Sequence, residues 1–166
     1  MHIAKRITLI IVVLIACVSC DQATKSIASS VLANTDTLSF LGDTVRFQLA
    51  HNQGAFLGMG SSLPETWRKA LFLVAAGGML LGLLAYLVFS RAISRLETVA
   101  LSLVLAGGIS NLTDRVVNDG YVVDFLNIGL GAIRTGIFNV ADIAISAGAL
   151  LILMRALLEK NGQSAV

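Results

Sequence analysis

Asp124 and Asp142 are the residues on which the chemistry of this chain turns. They fall in the stretch from Gly107 to Asp142, GGISNLTDRVVNDGYVVDFLNIGLGAIRTGIFNVAD, which packs ionisable and amide side chains between an apolar run ending at Leu112 and another beginning at Val140. If both runs cross a membrane, Asn111, Arg115, Asp124, Asn139 and Asp142 collect near one of its surfaces. Carboxylates at that depth are costly, and they mark functional sites. Two of them brought together do not both ionise cheaply, so one keeps its proton while the other stays charged. Such a pair is a general acid beside a general base, able to aim a water at a peptide carbonyl and to protonate the leaving amine. Ser110, Thr113 and Ser146 have no histidine or lysine set near them in sequence, so a serine nucleophile has less support.

The neighbouring polar residues suit supporting roles. The amides of Asn111 and Asn139 would orient carboxylates, and Arg115, one helical turn from Asn111 and on its face, would hold a carboxylate, carbonyl or phosphate oxygen. The plainer alternative is that these groups only satisfy one another. Asp21 and Lys25 are spaced i,i+4 and form either an end cap or part of the same pocket. Asp114 and Asp119 read as solvated loop residues. In His51-Asn52-Gln53-Gly54-Ala55-Phe56 a glycine beside an amide suggests close approach of the backbone to something, with an ordinary loop as the alternative. A proton or ion transporter would need carboxylates spread along the spans. Here the acids gather at one surface, which favours hydrolysis over transport.

The elements that must position these residues are membrane spans. Of 166 residues, 56% are hydrophobic and 13% charged, against roughly a quarter charged in soluble domains. At about 20 residues per span there is room for four helices and one modest extramembrane module, and hence for a single domain over 1–166. The spans are expected at about 7–28, 67–89, 96–112 and 138–158, and a β module at about 36–60. Thr44 to Leu49 alternates strictly, a strand signal, and Leu38 to Leu41 joins it through Gly42-Asp43, suited to a hairpin turn. Gly78 to Gly82 is a GxxxG pattern for close helix contact, and Gly107-Gly108 would let backbones approach. Asn118-Asp119-Gly120 reads as a turn, Tyr121 to Leu126 as a short extended or irregular segment, and Gly129 to Gly136 as a mobile loop or surface-lying segment.

The first apolar run, Ile7 to Cys20, admits two readings. Lys5 and Arg6 before it, and Leu14-Ile15-Ala16-Cys17 within it, are similar to a lipoprotein signal peptide; three further spans downstream favour an uncleaved first helix. The CxxC of Cys17 and Cys20 lies in hydrocarbon, which disfavours thiolates and leaves packing as its role. With His2 and His51 far apart, no zinc motif is present. A net charge of +2 without a basic stripe excludes a nucleic-acid partner. The 12 Lys and Arg residues divide evenly between the two sides of a four-span topology. Lys5 and Arg6, beside the first span, then favour cytoplasmic termini and an outward-facing acidic site.

Five blocks in order carry a resemblance over essentially the whole chain: Asp21-Gln22-Ala23-Thr24-Lys25, Asn52-Gln53-Gly54-Ala55-Phe56, Gly107 to Arg115, Val122-Val123-Asp124-Phe125 and Phe138-Asn139-Val140-Ala141-Asp142. The chain resembles the lipoprotein signal peptidases, or signal peptidase II, the bacterial inner-membrane aspartic peptidases. The resemblance implies an all-α membrane protein: a four-transmembrane-helix bundle with a small extracytoplasmic β cradle and a mobile periplasmic segment. It implies that Asp124 and Asp142 are catalytic and that Asp21, Lys25, Asn52, Gly54, Asn111, Arg115 and Asn139 support the site or bind substrate. The implied substrates are prolipoproteins bearing a diacylglyceryl cysteine, cut on the amino side of that cysteine at the outer, periplasmic face. Membrane lipid is the other partner; no metal or organic cofactor is implied, and a monomer is expected. One departure is the loop Ala55-Phe56-Leu57, where Leu57 takes a position that the family gives to an aromatic residue.

Overall fold

The computed structural model describes residues 2–53, 64–90 and 92–163. Gly54 and the Ala55-Phe56-Leu57 loop lie outside them. Among the described residues the order is α1 (Ile3–Leu32), β1 (Leu38–Phe40), β2 (Val45–Asn52), α2 (Glu65–Phe89), α3 (Arg95–Val117), β3 (Val122–Leu130), β4 (Ile133–Arg134) and α4 (Val140–Gln163). Three of the helices are long and apolar enough to cross a membrane: Ile3–Leu32, Arg95–Val117 and Val140–Glu159. Among the described residues α2 contributes a shorter apolar stretch, Leu73–Phe89.

The central helix is α3. Of its most apolar window 44% is buried, against 11% for α1 and 17% for α4, which present the rest to the surroundings. Small residues set its distance to α4. A Cβ on Gly107 would stand 2.4 Å from the Ala141 carbonyl oxygen, and one on Gly148 would stand 2.4 Å from that of Ala100. The expected GxxxG contact at Gly78 and Gly82 is not formed, since both face open space. Close approach instead uses Gly107 and Gly148, which are on different helices and share no linear motif. Ile10, Leu87, Ile93 and Leu105 form the core on the terminal side. There the buried Arg6 donates to Ser90 O and, at 2.5 Å, to Val88 O, closing the free carbonyls at the end of α2. Ser94 and Glu97 form a capping box that starts α3. Ala16 and Cys17 sit inside α1; Cys17 is half-buried and Cys20 exposed, both as free thiols.

The sheet runs β1-β2-β3-β4, with every neighbouring pair antiparallel. Its first hairpin is the expected one, turning through Leu41, Gly42 and Asp43, all at positive φ. Asp43 accepts hydrogen bonds from Ser39 and Arg46 and pairs with Arg134. The Arg46 and Ser39 hydrogen bonds hold its carboxyl well below the usual range. The sheet extends beyond 36–60, for the segment expected to be short and either extended or irregular is extended, as the nine-residue strand β3, and the glycine-rich stretch turns back at Gly131 (φ +55°) as β4. Residues Val122 to Phe125 are all buried, so the apolar and polar alternation that marks a half-buried strand is missing there. Under the sheet, Ala28 and Leu32 of α1 pack on Phe125.

Gly107→Ala and Gly148→Ala should each destabilise the protein by about 1–3 kcal/mol through overpacking. Gly82→Ala should be neutral or gain up to about 1 kcal/mol. Thermal unfolding in detergent micelles would measure this, and equal melting temperatures for all three variants would refute the packing assignment.

Candidate active site

Asp124 reaches the site through strand register. Ala50 of β2 lies opposite it, with Asn52 opposite Val122 after a break in register between Phe47 and Ala50. The carboxylate is 2% exposed and accepts from Asn52 Nδ2 at 2.9 Å and from Asn139 Nδ2 at 2.6 Å. Asp142 reaches the same place through a helix start. Asn139 precedes α4, its Oδ1 accepts from the Asp142 N–H at 3.0 Å, and Asp142 Oδ2 accepts from the Asn139 N–H at 3.1 Å. This is a reciprocal capping box built from an amide and an aspartate. Leu126 and Phe138 form a bridge that lays the approach to α4 along β3. Asn139 is fully buried and so touches both acids, one by its side chain and the other by its backbone.

Asn111 completes the link. Its Nδ2 donates to Asp142 Oδ1 at 3.0 Å, and its Oδ1 accepts from Asn139 Nδ2 at 3.1 Å and from Lys25 Nζ at 3.0 Å. Arg115, on the same helix, donates to the Asn111 carbonyl and lies in the field of Asp124, Asp114 and Asp142. Burial pushes the Asp124 carboxyl above the usual carboxylate range, and the charge of Asp142 pushes the same way. Hydrogen bonds from Asn52 and Asn139 and the charge of Lys25 pull it back. The two acids therefore act on one another electrostatically.

Asp21 and Lys25 lie one layer behind. Lys25 Nζ pairs with Asp21 at 2.7 Å and with Asp114 at 2.8 Å, all three side chains being at most 4% exposed. Asp21 also accepts from Ser110 Oγ at 2.6 Å and from the Ala141 N–H at 2.7 Å. Asp114 was expected in a solvated loop and is instead buried in the last turns of α3. It accepts from Gln22 Nε2 at 2.7 Å and from the Val123 N–H at 3.0 Å. Its helical register carried the signal: it stands one turn after Ser110 and next to Arg115, on a helix that runs further than its apolar stretch. Gln22 and Ser110 are further members that sequence reasoning did not assign to the site; both lie in blocks that carry the resemblance, but only tertiary packing brings Gln22 Nε2 to Ser110 Oγ at 3.0 Å. Asp119 is exposed in the turn, as expected. His51 packs its ring edge to face with Tyr121. Among the described residues no group of three or more His, Cys, Asp or Glu side chains is arranged to hold a metal ion.

An apolar groove of about 510 Å³ opens on Asp142, lined also by Thr135, Phe138, Ile143, Ser146, Ala147 and Leu150. It gives one of the two acids access from the exposed face of α4.

The chain has relatives among known proteins and solved structures. Two solved chains, each described as a bacterial membrane enzyme structure obtained by the in meso method, superpose on this one. One gives a TM-score of 0.79 at 26% identity, covering 92% of this chain and 90% of the other. The second gives 0.76 at 27% identity, covering 89% and 92%. The chain is similar to the lipoprotein signal peptidase of Sphingopyxis alaskensis, with 38% identity over 152 residues covering 87% of this chain and 83% of the relative. It is also similar to that of Bifidobacterium longum, with 38% identity over 140 residues covering 81% and 70%. A third relative, the lipoprotein signal peptidase of Mycobacterium tuberculosis, is 30% identical over 155 residues, covering 90% and 71%. The family model for signal peptidase (SPase) II matches residues 12–158, a range that includes both acids and the amides of Asn52, Asn111 and Asn139, and this chain is a member of the signal peptidase II family.

Proposed function

We propose that this protein is an aspartic endopeptidase that removes the signal peptide from diacylglyceryl-modified prolipoproteins, cutting on the amino side of the lipidated cysteine. The observation that carries the reading is the double role of Asn139, whose amide holds the buried Asp124 and whose backbone N–H holds Asp142. In the proposed reaction the ionised carboxylate takes a proton from a water as the water oxygen attacks the scissile carbonyl carbon. The protonated carboxyl gives its proton to the carbonyl oxygen, and the resulting diol collapses with a proton delivered to the leaving amine nitrogen. No covalent enzyme intermediate is needed. Asn52, Asn111 and Asn139 hold the acids in place, Arg115 supplies positive charge beside them, and Asp21 and Lys25 support them from behind. Gly54 follows Asn52 closely enough in sequence to serve the same site.

The same reading places the site at the outer face of the bacterial inner membrane, at the depth of lipid headgroups, where a lipidated cysteine would lie. It takes α2 as a fourth span beside the three apolar helices, with both termini cytoplasmic, the sheet outside as a cradle and the segment around residues 116–136 able to move. It also takes the protein as a single membrane domain acting as a monomer. The apolar groove leading to Asp142 supports a substrate delivered from lipid.

Asp124→Asn and Asp142→Asn should each lower cleavage of a lipidated prolipoprotein by about 10³-fold or more, as loss of a general acid or base does, with melting temperature retained. Near-normal turnover by both folded variants would remove the dyad. The Asn52 hydrogen bond favours the charged form of Asp124, so Asn52→Ala should let that group hold its proton to higher pH and displace the rate profile in the alkaline direction. A profile moved toward acid would contradict this assignment.

A further inference from the structure

Every partner of Asp21 and Asp114 is a donor: Lys25 for both, with Ser110 Oγ and the Ala141 N–H on the first and Gln22 Nε2 and the Val123 N–H on the second. Only an ionised carboxylate accepts from all sides in this way. Lys25 has three N–H groups and three acceptors, the two carboxylates and Asn111 Oδ1 at 3.0 Å. Its hydrogens are fully committed and none is interchangeable with an acceptor.

The third contact has consequences along the network. A carboxamide has one accepting and one donating end. An ammonium against Asn111 requires the accepting end there, which leaves the Nδ2 end for Asp142. Asn139 Nδ2 also points at Asn111 Oδ1, but it has the Val123 carbonyl at 3.4 Å and Asp124 as other acceptors for its two hydrogens. It can satisfy itself without Asn111, and Lys25 has no such freedom.

We propose that Lys25 is a positioning residue for the catalytic pair: its third N–H holds Asn111 with the amide oxygen toward α1, so that Asp142 is offered a hydrogen-bond donor rather than an acceptor. The inference rests on the reading of Asp124 and Asp142 as the dyad. Without Lys25 only the Asn139 contact at 3.1 Å opposes a turn of the amide, and a turned amide presents its oxygen to Asp142, a contact that only a protonated carboxyl satisfies. The charged and titratable groups facing the pair are Lys25 and Asp21 from α1, Arg115 and Asp114 from α3, and the partner acid itself, on β3 or α4; β2 contributes the neutral Asn52, with His51 turned to Tyr121. Loss of the ammonium also removes a charge that favours ionised Asp124. Both effects keep protons on the pair to higher pH.

The test is the pH dependence of kcat and KM for cleavage of a lipidated prolipoprotein by the full-length protein. Lys25→Met should displace the kcat profile to higher pH by roughly one unit, with KM little changed, and Lys25→Arg, which keeps a charged donor, should restore its position. Lys25→Met/Asp114→Asn removes one charge of each sign, so a displacement that persists in it reports the turned amide rather than the lost charge. A folded Lys25→Met or double variant with the wild-type profile overturns the proposal, and so does unfolding of both, which would assign the ammonium to stability alone. Asp124→Asn and Asp142→Asn measured alongside separate the two ideas: if they retain turnover the dyad is wrong, whereas if they lose it and the Lys25→Met profile stays put, only the role of Lys25 fails.

Discussion

One ammonium between two carboxylates, all withdrawn from water inside an apolar bundle, is the constraint that the remaining structure serves. Moving such ions into a low-dielectric interior costs several kcal/mol apiece unless each is paired and hydrogen-bonded. The protein meets that cost by spending every hydrogen of Lys25 and by turning backbone N–H groups and side-chain donors onto Asp21 and Asp114. The acceptors and donors come from α1, α3, β3 and α4, so the cluster forms only when those elements are correctly placed. It is therefore a registration device as much as a source of stability.

The two backbone contacts of the cluster fall next to Asp124 and Asp142. Asp21 holds the N–H of Ala141, the neighbour of Asp142, and Asp114 holds the N–H of Val123, the neighbour of Asp124. A helix start and a strand are different kinds of scaffold, and nothing in either alone sets the separation of their side chains. The shared counter-charge does. Asn139 then closes the arrangement from the other side, serving as the cap that begins α4 and as the amide that touches Asp124. A carboxylate in the first turn of a helix is also where the helix dipole favours negative charge.

Packing gives this polar layer its rigidity. The α3 and α4 backbones come within reach of one another because Gly107 and Gly148 carry no Cβ, and Gly107 meets the carbonyl of Ala141, the residue whose N–H is held by Asp21. The turn of α4 that carries Asp142 is thus fixed by a steric contact on one side and an ionic one on the other. Precise placement of reacting groups depends on such support behind them.

The sequence by itself determined the membrane class, the helical spans as apolar runs, the first hairpin and the residue types able to do acid and base chemistry, because hydropathy, alternation and turn residues are local signals. Asp124, Asp142, Asn111, Asn139 and Lys25 stood out because polar groups are rare and costly among apolar runs. Tertiary structure alone decided the rest. It turned Asp114 from a supposed solvated residue into half of a buried ion cluster, made a nine-residue strand of a segment whose buried run shows no alternation, and moved the close helix contact from Gly78 and Gly82 to Gly107 and Gly148. The physical reason is common to all three. Whether a charge is solvated, a strand is covered or a glycine is crowded depends on what arrives from elsewhere in the chain, and no local window contains that partner.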